Sequence, residues 1–196
     1  MFKGLVPSLV AAGIILAAPA YVHADEYGID VDHSSVGFVT RHLAVVNVPG
    51  QFHEYEGELS YDGEDISSLK LNLVVKAESI DTANEDRDDH LRSEDFFEVD
   101  TYPEISFNTE RVETRDEKIY LIGELTIKNT TRTVELPVAL EGPVEDPWGN
   151  QRVGLEISGS IDRNDYGVGF DGMADRTIGS TVRLDVNIQG IKAQDE

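Results

Sequence analysis

Apolar and polar side chains alternate with a period of two over most of this sequence, and this alternation restricts its fold more than any other feature. Residues 69–75, 119–127 and 182–188 repeat Leu, Ile or Val at alternate positions, with mainly polar residues between them. Successive side chains of a β-strand point to opposite faces, so each segment predicts a strand with one buried face. The chain is therefore expected to be all-β over most of its length.

About eight substantial strands are predicted by this pattern. Five further runs of the same kind cover residues 36–42, 50–61, 104–112, 133–140 and 153–161. Residues 62–63, 128–129 and 148–150 contain Gly or Asn between such runs, and these residues tolerate the positive φ of tight turns. Short turns of this kind join antiparallel neighbours.

One short helix interrupts the strands. Thr82 is followed three residues later by Glu85, which is a capping-box signature, and residues 86–94 are too polar for a strand. The spacing places Arg87 and His90 on one helix face and pairs Asp88 with Arg92. Residues 165–173, which contain three glycines, are expected to form a loop.

An eight-stranded antiparallel barrel is the favoured architecture, with a β-sandwich as the alternative. Closure into a barrel removes both exposed sheet edges. Many inward positions are apolar, yet only 8% of the residues are aromatic. An eight-stranded barrel is either filled by its side chains or retains space for one small ligand, and this lining predicts an apolar ligand.

The N-terminal residues 1–24 have the pattern of an export signal. Lys3 precedes an uncharged apolar run at residues 5–20, and residues 22–24 have the small-x-small form of a cleavage site. A membrane anchor is the alternative, but it needs about 20 apolar residues. Cleavage after Ala24 leaves residues 25–196 as one exported, soluble domain. The absence of cysteine removes disulfides and thiolate ligands, and it suits a bacterial periplasm.

The strong negative charge disfavours two classes of partner. The sequence has 16 Lys and Arg against 38 Asp and Glu, for a formal net charge of −22. Such a surface repels nucleic-acid phosphates and anionic lipid headgroups. We therefore expect no nucleic-acid partner.

The sequence resembles the YceI family along the whole of residues 25–196. The most specific match is RDDHLRSEDFF at residues 87–97. Further matching segments, in the same order as in the family, cover residues 29–38, 41–43, 50–52, 56–57, 79–82, 102–107, 123–127 and 146–149. Asn129 and Thr130 depart from the family pattern, which has Gly and an apolar residue there. Asn tolerates the left-handed conformation, so the turn is expected to persist.

This resemblance implies a lipocalin-like barrel whose apolar tunnel holds a polyisoprenoid or similar amphiphile, such as an isoprenoid quinone, a polyprenyl lipid or a fatty-acid derivative. It also implies a periplasmic protein without an assigned reaction. A homodimer is compatible with the resemblance, although no apolar surface stripe in the sequence requires one.

Neither a metal site nor a hydrolase site is expected. His33, His42, His53 and His90 form no His-x-His or His-x-x-x-His pair, and the Gly-x-Ser-x-Gly motif is missing. We predict no catalytic residue, no metal and no cofactor other than the lipid itself.

Four residues are candidates for contacts with a ligand headgroup: Arg41, His42, Arg87 and His90. Arginine forks suit phosphates and other polar headgroups. The alternative for the helix residues is an internal salt-bridge network that fixes the helix over one barrel end. The candidates for the tunnel are Phe38, Phe52, Leu71, Leu73, Phe107, Leu121, Leu125, Leu155 and Ile157.

The leading hypothesis is a non-enzymatic periplasmic carrier of an isoprenoid-like lipid. An enzyme that acts on a lipid headgroup, with residues 87–92 as its site, is the second hypothesis. A ligand-free, stress-responsive structural protein is the third.

The acidic composition also predicts adaptation to salt. Self-repulsion among 38 carboxylates weakens as the Debye length shortens, so the melting temperature is expected to rise with NaCl concentration. Thermal unfolding followed by circular dichroism in increasing NaCl measures this. A melting temperature that stays flat or falls would contradict a salt-tolerant bacterial source.

Overall fold

The computed structural model describes residues 24–169 and 177–192, which form one antiparallel sheet and one α-helix. The strands are β1 (Asp25–Ile29), β2 (Ser35–His42), β3 (Val46–Phe52), β4 (Tyr55–Tyr61), β5 (Lys70–Lys76), β6 (Ile80–Asp81), β7 (Glu104–Arg115), β8 (Lys118–Ile127), β9 (Thr130–Glu145), β10 (Gln151–Asp162) and β11 (Thr181–Lys192). The helix α1 spans Glu85–Arg92. Residues 1–23, where the export signal is predicted, lie outside the described residues, as do residues 170–173 of the predicted loop.

The eleven strands close into an eight-stranded barrel because the first six lie end to end in pairs and so occupy three positions around it. Each of the eight positions, whether it holds one strand or two, is called a stave. Strand β11 pairs with β1 through Tyr27 and with β2 through Val36, so β1 and β2 lie end to end along it. In the same way β4 and β3 form the second stave, and β5 and β6 form the third. Strands β7 to β11 complete the circle as antiparallel neighbours. The predicted eight-stranded antiparallel barrel with one short helix is confirmed.

Hydrogen bonds across the interruptions satisfy the backbone where the staves change partners. Short 3-10 turns separate β1 from β2 at Val31–His33 and β5 from β6 at Ala77–Ser79. The His53 N–H donates to the Ser79 carbonyl at 3.2 Å, and the Lys76 N–H donates to the Glu54 carbonyl at 2.9 Å. These hydrogen bonds continue the pairing of the backbone across the interruptions.

The barrel has two unlike ends. The end that carries the β7–β8 and β9–β10 turns is called the packed end, because large side chains fill it. A Cβ atom on Gly190 would lie 2.8 Å from both Tyr27 Cβ and Leu59 Cδ2, which shows how closely these groups approach the backbone. Leu121 and Leu155 are fully buried in the same region. The opposite end carries α1 and the β2–β3 and β8–β9 turns, and it is called the helix end.

The β8–β9 turn differs from its expected geometry. The turn persists, as expected, since Ile127 pairs with Thr130 across it, but the positive φ of 54° is at Lys128. Lys128 Nζ lies 5.7 Å from the centre of the Tyr102 ring and 3.4 Å from Glu98 Oε2. These contacts compensate the conformational cost of a left-handed lysine.

Arg152 connects two carboxylates at the packed end. Its Nη1 donates to Asp30 Oδ2 at 2.8 Å and its Nε donates to Asp146 Oδ2 at 2.7 Å. The Arg152 hydrogen bond, with further bonds from Asn150 and the Trp148 backbone, holds the Asp146 pKa well below its ordinary value. Burial acts to raise the Asp30 pKa, but hydrogen bonds led by the one from Arg152 outweigh burial and lower it.

Replacing Arg152 by Met is expected to destabilise the protein most at neutral pH. A carboxyl group whose pKa is lowered by folding stabilises the fold above its unfolded pKa of about 4, and this contribution is lost as the pH falls through the folded value. The difference in unfolding free energy between the parent and Arg152→Met should therefore shrink as the pH falls from about 5 to about 2. Urea unfolding across this pH range measures it.

Arg111→Met provides the control, because Arg111 is exposed and forms surface ion pairs with Glu110 and Glu113. Its effect should be small at every pH. An Arg152→Met effect that does not change with pH would contradict the proposed coupling.

Candidate functional site

The half of the barrel nearer the helix end contains a cavity of about 620 Å³. Among its lining residues, His42, Val46 and His90 are also exposed to solvent, so the cavity reaches the surface at this end. Its volume lies within the range of about 300–1,000 Å³ that is usual for small-molecule sites. The apolar lining comes from every full-length stave and is completed by Leu91 of α1.

Seven of the nine predicted tunnel residues lie on the cavity wall: Phe38, Phe52, Leu71, Leu73, Phe107, Leu125 and Ile157. Leu121 and Leu155 do not, and for these two the tunnel prediction is wrong. Both point inward, but Leu121 lies four residues below Leu125 on β8, and Leu155 lies two residues below Ile157 on β10, toward the packed end. Alternation predicts the face of a strand and not the depth along it.

Aromatic rings form one side of the wall. Phe38 and Phe52 have ring centres 5.7 Å apart, and Phe52 meets Phe97 edge to face at 5.9 Å. A Cβ atom on Gly50, which pairs with Phe38 across β2 and β3, would lie 2.3 Å from the Phe38 ring. Glycine at position 50 is therefore required for the position of this ring.

Three of the four predicted headgroup residues line the cavity, and one does not. His42, Arg87 and His90 are lining residues, whereas Arg41 is exposed on the outside, where its Nη2 donates to the Ala44 carbonyl at 2.8 Å. Arg41 precedes His42 on β2, and consecutive strand residues point to opposite faces, so both could not face the cavity. Arg41 therefore does not line the cavity, and its contact with a ligand headgroup at the mouth stays a prediction.

Helix α1 begins later than its capping motif predicted. Asn84 is the N-cap, and its side chain accepts a hydrogen bond from the Arg87 N–H. Asn is as good a cap as Thr, and it allows three carboxylates, Glu85, Asp86 and Asp88, to lie in the first turn near the positive end of the helix dipole. The prediction that Thr82 caps the helix is wrong.

Thr82 instead holds Arg87 at the cavity. The Thr82 hydroxyl donates to the buried Asp88 carboxylate and accepts from Arg87 Nε at 2.7 Å. The Thr82 carbonyl accepts from Arg87 Nη2 at 2.7 Å. The Arg87 guanidinium is therefore fixed at the rim by two hydrogen bonds.

Arg92 attaches α1 to the barrel. Its Nε and Nη2 donate to the carbonyls of Glu78 and Ile80, each at 2.8 Å. Its Nη1 lies 3.0 Å from Asp89 Oδ1, so the expected Asp88–Arg92 pair is replaced by Asp89–Arg92. The expected internal network does fix the helix, but largely through backbone carbonyls.

Arg163 is a wall residue that sequence reasoning did not identify. It is buried, and its Nη1 donates to the Val168 carbonyl at 2.8 Å and to Asn164 Oδ1 at 2.9 Å. A Cβ atom on Gly169 would lie 2.4 Å from this nitrogen. The wall residues of β11, Val182, Leu184 and Val186, were also not assigned to the tunnel, although their alternation was visible in the sequence.

The histidines are dispersed around the barrel. His33 Nδ1 lies 2.9 Å from Asp30 Oδ2, and His53 Nε2 lies 2.9 Å from Asp81 Oδ2. The His53 hydrogen bond holds the Asp81 pKa below its ordinary value. Within residues 24–169 and 177–192, no group of three or more His, Asp or Glu side chains could hold a metal ion.

The fold and the cavity together define a β-barrel protein with an internal apolar site. The YceI-like domain family matches residues 27–190. A UPF0312 protein of Photorhabdus laumondii is 35% identical over 168 residues, which cover 85% of this chain and 87% of the relative. The chain belongs to the YceI family.

Two solved structures share the fold. The Campylobacter jejuni YCEI protein superposes with a TM-score of 0.69 at 26% identity, over 79% of this chain and 90% of that one. A polyisoprenoid binding domain from Saccharophagus degradans superposes with a TM-score of 0.68 at 17% identity, over 85% of this chain and 98% of the domain.

Because the packed end is filled and the helix end contains a cavity, two similar truncations are expected to lower the free energy of unfolding by different amounts. Leu155→Ala removes a side chain from a packed region and should cost about 2–5 kcal/mol. Leu184→Ala removes a half-buried side chain beside existing empty space, so it should cost clearly less. Urea unfolding of the delipidated proteins measures both. Equal costs would contradict the presence of empty space beside Leu184.

Proposed function

We propose that this protein binds a long apolar ligand of the isoprenoid class in the cavity at the helix end, as a non-enzymatic carrier or binding protein of the periplasm. The apolar, solvent-accessible cavity inside a closed barrel is the observation that carries the proposal. The ligands considered are an isoprenoid quinone, a polyprenyl lipid and a fatty-acid derivative.

The composition of the wall supports an apolar chain as the ligand. Leu, Ile, Val and Phe side chains from different strands line the cavity, as Leu73 of β5, Leu125 of β8 and Leu184 of β11 do. Burial of apolar surface contributes about 25 cal/mol per Å², so such a chain needs no charged group for tight binding. The YceI family fold and the polyisoprenoid binding of the Saccharophagus domain favour isoprenoids within this class.

The polar side chains at the rim support an amphiphile with a headgroup. His42, Arg87 and His90 line the cavity where it reaches the surface, and Arg163 supplies a buried guanidinium. Guanidinium groups donate well to carbonyl and phosphate oxygens. These positions fit a ligand whose chain lies in the barrel and whose headgroup lies near α1.

The hydrogen bonds of His90 and Thr82 at the cavity support binding rather than catalysis. His90 Nε2 lies 3.0 Å from Asp95 Oδ2, and the Thr82 hydroxyl is hydrogen-bonded to Asp88. A nucleophile needs a base placed to take its proton, and Thr82 donates to a buried carboxylate that also accepts from the backbone. We propose that the ligand leaves the cavity chemically unchanged.

A periplasmic location is proposed from the export signal predicted at residues 1–24. Within the described part of the chain, no helix has the length and the apolarity to cross a bilayer.

Filling the cavity should abolish ligand binding without unfolding the barrel. Leu184→Trp places a large ring into the space between β11 and the facing wall, and the variant should retain less than about a tenth of the parent's ligand. Native mass spectrometry of protein purified from the periplasm, followed by organic extraction, measures the bound lipid. Delipidated protein is then titrated with ubiquinone and with a polyprenyl diphosphate.

Leu121→Met serves as the matched control, because Leu121 is buried inside the barrel but does not line the cavity. It should bind as the parent does. A parent protein that is empty and rejects both lipids would contradict the proposal. Recovery of a chemically altered lipid after incubation would replace the carrier with an enzyme.

A further inference from the structure

The β2–β3 hairpin is a local exception to the acidic surface. Residues 33–53 contain no Asp or Glu, and this is the longest such segment after residue 24 in a chain with 38 acidic residues. The hairpin lies at the helix end of the barrel, and the two residues that flank its turn, His42 and Val46, line the cavity. A segment without carboxylates therefore lies directly beside the cavity mouth.

The turn of this hairpin exposes three adjacent aliphatic side chains. Leu43, Val45 and Val46 are 53%, 75% and 53% exposed. Three exposed aliphatic residues within four positions form a continuous apolar tip, which distinguishes them from singly scattered surface residues.

Three backbone groups of the tip are hydrogen-bonded within the protein. The Leu43 N–H donates to the Thr177 carbonyl at 2.8 Å, and the Val45 N–H donates to the His42 carbonyl at 3.0 Å. The Ala44 carbonyl accepts from Arg41 Nη2 at 2.8 Å. Backbone groups satisfied in this way can enter an apolar medium without losing hydrogen bonds to water.

The turn conformation disfavours the residues that occupy it. Leu43 and Ala44 have φ values of 50° and 55°, and turns with two positive φ values normally contain Asn and Gly. Non-glycine residues in this region are strained. Asn and Gly at positions 43 and 44 would therefore adopt this turn at a lower conformational cost than Leu and Ala do.

We propose that this tip, formed by Leu43, Ala44, Val45 and Val46, inserts into the surface of a phospholipid bilayer and brings the cavity mouth to the membrane. Residues 33–53 add no carboxylate that would repel lipid phosphates, and the adjacent Arg41 guanidinium complements these phosphates.

A bilayer fits this surface better than a protein partner does. A stable protein interface buries at least about 1,200 Å², which three side chains on one turn cannot supply. Bilayer insertion needs only a small apolar area, because each buried side chain contributes separately. The docking goes beyond the proposed carrier function and does not depend on the identity of the ligand.

The test uses flotation of the full mature protein with vesicles of dioleoylphosphatidylcholine. The double variant Leu43→Asn, Ala44→Gly replaces the strained turn with the residues that this conformation prefers. It should melt at the same or a higher temperature than the parent, yet bind vesicles about tenfold more weakly or worse, since it loses an inserted leucine. Trp148→Ser is the matched control, because Trp148 is 81% exposed at the opposite end of the barrel.

The proposal is supported if the parent and Trp148→Ser float with the vesicles and the double variant does not. It is overturned if the parent fails to float or if the double variant floats equally well. Sedimentation velocity adds one more outcome. If the parent is a dimer, the double variant is a monomer and neither binds vesicles, the tip forms a contact between copies of this chain and membrane docking is overturned. Neither flotation nor sedimentation measures ligand binding in the cavity. A negative result therefore overturns membrane docking without contradicting the carrier proposal.

Discussion

Closure of the sheet is the constraint on which the rest of this structure depends. Once eight staves close, every inward side chain must either touch others across the barrel or border empty space. At the packed end, Tyr27, Leu59 and Leu155 meet their neighbours and fill the interior. At the helix end, side chains of similar size leave about 620 Å³ unfilled. The same alternating pattern thus produces a core in one half and a binding cavity in the other.

The sequence was sufficient for the architecture because period two, short turns and one capped polar segment are local signals. It did not predict how far along the barrel axis each inward side chain lies, because this depth depends on the register of every stave. Leu121 and Leu125 both lie on the inward face of β8, yet only Leu125 lines the cavity. The break of three staves at one level, from Val31–His33 to Ala77–Ser79, also follows from pairing and not from propensity.

The candidate site was predictable where it depends on strand faces and not where it depends on loop conformation. His42 and Arg41 illustrate the first case, because alternation alone excludes one of them from the interior. Arg163 illustrates the second, because its position on the wall depends on a turn whose backbone carbonyls, such as that of Val168, accept hydrogen bonds from its guanidinium. Asn84 displaced Thr82 as the helix cap because Thr82 is engaged with Asp88 and Arg87. Two residues of similar capping strength can be separated only by such contacts.

The most direct test of the central claim, that the helix end is a ligand cavity and the packed end is core, is methyl NMR of the delipidated protein titrated with a polyprenyl lipid. The account predicts large chemical-shift changes for Leu73, Leu125 and Ile157, with little change for Leu121 and Leu155, although all five point into the same barrel. Equal perturbation of both groups, or perturbation of neither, would contradict it.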